Sequence, residues 1–266
     1  MRKYTKAFLS LAVWFMAVAT WAGDALPVFI VAGQSNAFRL GGVSAKPSGK
    51  TQGPVGYYVA NPACTGAAKL GVKVRPMRLP VGGMGAGIFR TLAKQYPQGF
   101  GLIRYGICGS NLHTQWRPGE PDGYFSAYFK PFVEKSLAAI AAKCGKTPEV
   151  MAVLWHQGES QAKDDEALEA YPQRLPELIT QMQVTFGPVP MVMGEIRDLP
   201  DKPRSAEVNR IMKTVTADYP HVSVVGLQDV KWLPKGNVHL SQPGAVQAGT
   251  RMVNRAVEML AEESAQ

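Results

Sequence analysis

The chain has 266 residues, 46% hydrophobic and 18% charged, with 27 Gly, 20 Pro and a formal net charge of +9 at pH 7. This composition is globular and long enough for one large α/β domain with a substantial core, and no internal repeat, low-complexity tract or heptad run points to a solenoid, a disordered chain or a coiled coil. The lysines and arginines are scattered, without the interleaved basic and aromatic run of a nucleic-acid groove, so the charge reads as a solvated surface and no nucleic-acid partner is expected.

Residues 1–22 stand apart. Arg2, Lys3 and Lys6 precede an uncharged apolar stretch over 7–19, and small residues follow at Ala17, Ala19 and Ala22. This is the pattern of a secretory signal peptide, with an apolar part too short for a good membrane span; an uncleaved anchor is the alternative. The expectation is a leader over 1–22 and one domain over 23–266, exported to the periplasm or the medium, with no stable membrane insertion after cleavage. Removing three basic residues and no acidic ones takes the formal charge from +9 to +6. Cys64, Cys108 and Cys144 allow one disulfide and one free thiol, but spacing does not choose the pair. There is no CxxC and no His/Cys ligand cluster, so neither a metal nor an organic cofactor is expected.

Beyond the leader, apolar runs alternate with amphipathic stretches. Strands are predicted over 27–32, 99–107, 149–155, 189–195 and 221–227, and helices over 86–96, 127–142, 163–184, 206–218 and 244–262. Strand and helix in alternation predict a three-layer α/β/α fold with a mostly parallel central sheet, flavodoxin-like in plan. The stretch 40–79, rich in Gly, Pro and small residues, reads as a long irregular excursion with room for one short strand. "GGMGAG" over 82–87 reads as a tight turn before a helix, since it lacks the lysine of a phosphate-binding loop.

In such a sheet ligands bind at the carboxyl ends of the strands. Those ends carry Gly33-Gln34-Ser35-Asn36, then Cys108-Gly109-Ser110-Asn111, then His156-Gln157-Gly158-Glu159, then Glu195 to Asp198, then Gln228-Asp229. Ser35 is a candidate nucleophile, and a serine hydroxyl needs a base to take its proton. Of four histidines, His221 opens a strand and His113 lies in a loop, while His156 at a strand end and His239 in "GNVHLSQPG" are equal candidates for that base.

Taken together, "GQSNA", "CGSNLHTQW", "WHQGES" and "VHLSQPG" resemble four blocks of the SGNH hydrolase superfamily, nearest to its carbohydrate O-acetylesterase branch, which includes sialate O-acetylesterases and carbohydrate esterase family six. The resemblance runs from Val28 to about Arg251. It implies the SGNH hydrolase fold and an exported serine esterase acting on an acetylated carbohydrate of the xylan or sialic acid type. It further implies Ser35 as nucleophile, His239 as base, an oxyanion hole from the N–H groups of Ser35 and Gly109 and the amide of Gln157, and substrate contacts from Asn36, Asn111 and His156. Trp155 and Trp116 are candidates for a sugar pocket or for ordinary core packing.

One block departs from the family pattern. An acid usually stands three residues before the last histidine, and here that position is Gly236. Three outcomes follow. A carboxylate from elsewhere orients His239, with Glu159 ahead of Glu195, Asp198 and Asp229; or Asn237 or a backbone carbonyl holds the ring, leaving a Ser–His dyad; or the site has lost its acid and only binds carbohydrate. For Glu159 the competing reading is a buried carboxylate paired with Arg197 or Arg104. A short-chain aryl or lipid esterase is the enzymatic rival.

Overall fold

The computed structural model describes residues 24–38, 55–60, 72–77, 82–199, 204–234 and 236–265. The expected leader and Cys64 lie outside them. Seven strands form one sheet in the order β3-β2-β4-β1-β5-β6-β7. They are β1 (Ala25–Gly33), β2 (Gly56–Ala60), β3 (Arg75–Met77), β4 (Phe100–Gly106), β5 (Thr147–His156), β6 (Met191–Gly194) and β7 (Val222–Val225). All neighbours pair in parallel except the edge strand β3, which runs antiparallel to β2. The excursion over 40–79 thus carries two short strands where one was expected; the second contains Pro76, which an edge strand tolerates because no ladder donor is missed on its open side.

Helices α1 (Ser35–Phe38), α2 (Met84–Gln95), α3 (Lys130–Cys144), α4 (Asp165–Phe186), α5 (Arg204–Thr216) and α6 (Gln242–Ser264) complete the chain. The apolar run at β1 serves both faces of the sheet because side chains alternate along a strand. Val28, Ile30 and Ala32 join the core under α3, α4 and α5, with Phe132, Leu178 and Met212. Phe29 and Val31 join the core under α2 and α6, with Ile88, Leu92, Met252 and Val253. Burial on both faces is why the run is continuously apolar. The second layer is closely packed: a Cβ on Gly87 would stand 2.1 Å from the Val246 carbonyl oxygen, and one on Gly249 the same distance from that of Met84.

Two single-turn π-helices, Leu112–Trp116 and Phe125–Phe129, follow β4; neither was legible in the sequence, and the second occupies the start of the helix predicted over 127–142. Trp116 and Trp155 are fully buried and meet edge to face at 4.8 Å, so they are core and do not line a sugar pocket. What the fold does for the site is alignment. Gly33 is in register with Gly106 on one side and His156 on the other, so β1, β4 and β5 end at one level. The chain leaves β1 toward β2 on one flank and later returns to β5 on the other, which makes this level the crevice where ligands bind in open α/β sheets.

Candidate active site

The turn that leads into Ser35 is built on a glycine no other residue can replace. Gly33 has φ +135°, and a Cβ there would lie 2.0 Å from the His156 carbonyl oxygen. That same carbonyl accepts from the Gln34 N–H at 3.0 Å, while the Gly33 carbonyl accepts from the Ile107 N–H at 3.0 Å. The turn is therefore tied to both neighbouring strand ends before Ser35 opens α1. Beneath it, fully buried Arg104 on β4 donates through Nη2 to the Ala37 carbonyl at 2.8 Å and so satisfies the end of this short helix. Sequence reasoning did not assign Arg104 that task.

Ser35 is 7% exposed, and its Oγ lies 3.0 Å from Nε2 of His239, 204 residues away in the loop before α6. The other ring nitrogen, Nδ1, faces Oδ1 of Asn237 at 3.0 Å. That same oxygen accepts the backbone N–H of His239 at 2.9 Å, which fixes which end of the Asn237 amide is the carbonyl. A carbonyl oxygen only accepts, so Nδ1 carries the ring hydrogen and the Nε2 lone pair is left for the serine hydroxyl. Arg197, just past β6, braces the loop through Nη1, donating to the carbonyls of Asn237 at 2.7 Å and Leu233 at 2.8 Å. The structure thus joins Ser35 with His239 rather than His156, and the group on Nδ1 is Asn237.

None of the carboxylates considered for that role takes it, because both ring nitrogens already have their partners. Glu159 is 2% exposed; its Oε1 accepts from Asn36 Nδ2 at 2.6 Å and lies 3.6 Å from His156 Nδ1. Glu195 takes Lys213, the Gln228 amide at 3.0 Å and the Leu227 N–H at 3.3 Å. Asp198 accepts from Asn209 at 2.7 Å, and Asp229 forms a two-point pair with Arg251 at 2.6 and 2.9 Å that lowers its pKa to about 2. Gly236, where the pattern places an acid, has φ +64° and open space where a side chain would stand.

Of the three expected oxyanion donors, two are backbone groups. No hydrogen bond inside the described chain engages the N–H of Ser35 or of Gly109. Gly109 has φ +68° on an exposed turn, and that turn is braced below by Ser110, whose Oγ donates to the Ile107 carbonyl at 2.8 Å and accepts from Trp116 Nε1 at 2.8 Å. The third expectation is corrected. Gln157 is fully buried, and its Nε2 donates to the Ser110 carbonyl at 3.1 Å and to Gln161, with Gln34 Oε1 at 3.3 Å. Two amide hydrogens with acceptors inside the protein leave none for a substrate, so Gln157 supports the Gly109 turn from behind.

Two of the three expected substrate contacts, His156 and Asn36, are corrected, because both side chains lie inside the protein. His156 is fully buried and cannot touch a ligand. Asn36 is 2% exposed with both amide atoms engaged inside the protein. Asn111 is buried as the cap of the first π-helix, its Oδ1 accepting from the Thr114 N–H at 2.7 Å and the Thr114 hydroxyl at 3.0 Å. Strand-end position identified the right neighbourhood but could not say which side chains face inward. Cys108, beside Gly109, is disulfide-bonded, and Cys144 is a free, half-buried thiol. Among the described residues, no three His, Cys, Asp or Glu side chains gather so as to hold a metal ion.

A serine and histidine in contact at a sheet edge fit several hydrolases, so the comparisons decide between them. The sequence profile described as "carbohydrate esterase, sialic acid-specific acetylesterase" matches residues 25–258. The chain belongs to this family. As a member it is a carbohydrate esterase, a carboxylic ester hydrolase with carbohydrate O-acetylesterase activity. Among solved structures, a protein from Arabidopsis thaliana is 18% identical over 87% of this chain and 98% of its own, with a TM-score of 0.60. NanS is 13% identical over 90% of this chain and 99% of its own, with a TM-score of 0.57. A variant of an acetyl xylan esterase from Geobacillus stearothermophilus is 14% identical over 89% and 96%, with a TM-score of 0.50. At these identities the likeness is one of fold. No curated protein matches the chain. Among the described residues, this acetylesterase-family chain has no helix long and apolar enough to cross a membrane.

Proposed function

We propose that this carbohydrate esterase is an exported serine hydrolase that removes O-acetyl groups from sugar hydroxyls through an acetyl-enzyme on Ser35. The observation that carries the reading is the 3.0 Å contact between Ser35 Oγ and His239 Nε2, with the ring tautomer set by Asn237 on the opposite nitrogen. His239 takes the serine proton as Oγ attacks the acetyl carbonyl. The developing oxyanion lies against the N–H groups of Ser35 and Gly109, donors whose loss typically costs about 3–4 kcal/mol each in such sites. As the tetrahedral intermediate collapses, the C–O bond to the sugar breaks and His239 returns the proton to the leaving hydroxyl. Water then attacks the acetyl-enzyme with His239 again as base, releasing acetate and restoring Ser35.

The substrate class proposed is an acetylated sugar of the xylan or sialic acid type. The leader-like pattern over 1–22 supports export, with the mature chain beginning near residue 23. Acetate release from p-nitrophenyl acetate, O-acetylated sialic acid and acetylated xylo-oligosaccharides, compared with Ser35→Ala, tests the reading. Turnover by the wild type and background rates in the variant are expected; equal rates in both would overturn the serine mechanism. N-terminal sequencing of the protein recovered outside the cytoplasm tests the cleavage.

A further inference from the structure

We infer that Asn36 is the residue that positions the general base and that Glu159 acts on the base only through Asn36, an inference that rests on the Ser35–His239 reading above. Asn36 directly follows the nucleophile. Its Oδ1 accepts from the Leu240 N–H at 3.0 Å, and its Nδ2 donates to the Val238 carbonyl at 2.9 Å. Val238 and Leu240 are the two neighbours of His239, so one side chain grips the backbone on both sides of the base. Because Asn36 is joined by a single peptide link to Ser35, the grip sets the distance between nucleophile and base directly.

Only a planar amide offers a donor and an acceptor side by side for this purpose. The same group could turn over and present oxygen to oxygen and nitrogen to nitrogen, which would break both contacts. Glu159 prevents that. Its carboxylate accepts from Asn36 Nδ2 at 2.6 Å, and an ionised carboxylate can only accept, so the nitrogen must stay on the side of Val238. Glu159 is itself fixed on the turn after β5, with His156 Nδ1 3.6 Å away in a fully buried position. The bracket therefore ties together the turn after β1, the turn after β5 and the loop before α6. It holds the backbone on both sides of the base, so the loop keeps its geometry although Gly236 stands where an acid is expected.

Misplacing a reacting group by about 1 Å can cost 10²-fold in rate. The experiment measures kcat and KM on p-nitrophenyl acetate for Asn36→Ala, Asn36→Asp, Glu159→Ala, Glu159→Gln and the double variant Asn36→Ala/Glu159→Ala. Rates are expressed per serine titrated to completion with a fluorophosphonate, so that unfolded protein is not counted. Both Asn36 variants are expected to lose about 10²-fold in kcat with KM little changed, since Asn36 does not reach the ester. Glu159→Ala follows them, Glu159→Gln regains most of the loss by keeping an acceptor, and the double variant is no slower than Asn36→Ala alone. Asn36→Asp keeps the volume should Asn36→Ala fail to fold. Unchanged kcat per titrated serine in the Asn36 variants overturns the inference, and an additive double variant overturns the part that routes Glu159 through Asn36. Ser35→Ala, run beside them, separates the two readings: turnover there sinks the serine mechanism, whereas full dependence on Ser35 with an indifferent Asn36 sinks only the positioning role.

Discussion

One oxygen of Asn237, Oδ1, accepts both the backbone N–H of His239 at 2.9 Å and its ring Nδ1–H at 3.0 Å. The first bond orients the amide and the second uses that orientation to hold the imidazole. A neutral side chain thus does the orienting part of an acid's task and omits the charge.

That division is measurable. Replacing the acid of a serine triad by asparagine can cost about 10⁴ in kcat, largely through the wrong ring tautomer. Here the tautomer is already correct, so Asn237→Asp adds only charge to stabilise the imidazolium, and a gain of roughly 10-fold in kcat is expected. Asn237→Ala frees the ring and lowers kcat by about 10- to 100-fold. Steady-state kinetics on p-nitrophenyl acetate checks both; a slower Asn237→Asp enzyme would mean that the carboxylate disturbs the loop more than its charge helps.

At the turn into Ser35, Gly33→Ala places a methyl group where the His156 carbonyl oxygen already stands, at 2.0 Å, with φ at +135°. The central strand must separate from β5 to admit it. The expected loss is at least about 3 kcal/mol of folding stability, seen as a large fall in the urea midpoint or as insoluble protein. A variant that folds normally would show that the turn is not fixed to β5 in the way described.

The pair between Lys213 and the buried Glu195 makes a prediction about pH. Burial pushes the Glu195 carboxyl up, but Lys213, the Gln228 amide and the Leu227 N–H together draw it below its ordinary value of 4.5. A carboxyl whose folded pKa is depressed stabilises the fold above its unfolded pKa, and that contribution fades as pH falls through the folded value. Lys213 is 60% exposed, so screening limits its share to about 1 kcal/mol. Lys213→Gln is therefore expected to lower stability by about that amount at pH 7 and to converge with the wild type in acid, well below the ordinary value of 4.5. Urea melts at both pH values test this; a gap that persists in acid would assign the effect to packing of the lysine stem.

Cys108 is disulfide-bonded next to Gly109, while Cys144 is a free thiol. Thiol titration should find one reactive group per denatured chain before reduction and three after, the chain having three cysteines. Reduction of the folded enzyme is expected to lower kcat several-fold by loosening the turn that carries the Gly109 N–H, with little change in KM. Full activity after verified reduction would show that Ser110 alone holds that turn.

Much of this molecule is legible in its one-dimensional pattern. Apolar runs ended by glycine gave the parallel core strands, because a strand buried on both faces has no polar alternation and must stop where the chain turns. Ser35, Gly109 and His239 lie in short motifs that resemble blocks of the SGNH hydrolases. Only one of the short strands β2 and β3 was expected, and neither π-helix was legible, since these elements depend on distant neighbours rather than local periodicity. The roles of Gln157, Asn36, His156, Asn111 and Glu159 belong to the tertiary structure as well. Each stands at a strand end as a polar residue beside a crevice would, yet each is buried, and Asn36 bonds a group 204 residues away. Which way a polar side chain faces depends on the hydrogen-bond groups the fold leaves unsatisfied behind it, and those are assembled only when the strands come together. Local sequence set Ser35 and His239 in motifs that resemble a hydrolase family's. The packed structure decided what holds them, and it chose two asparagines, Asn36 and Asn237, where a carboxylate was expected.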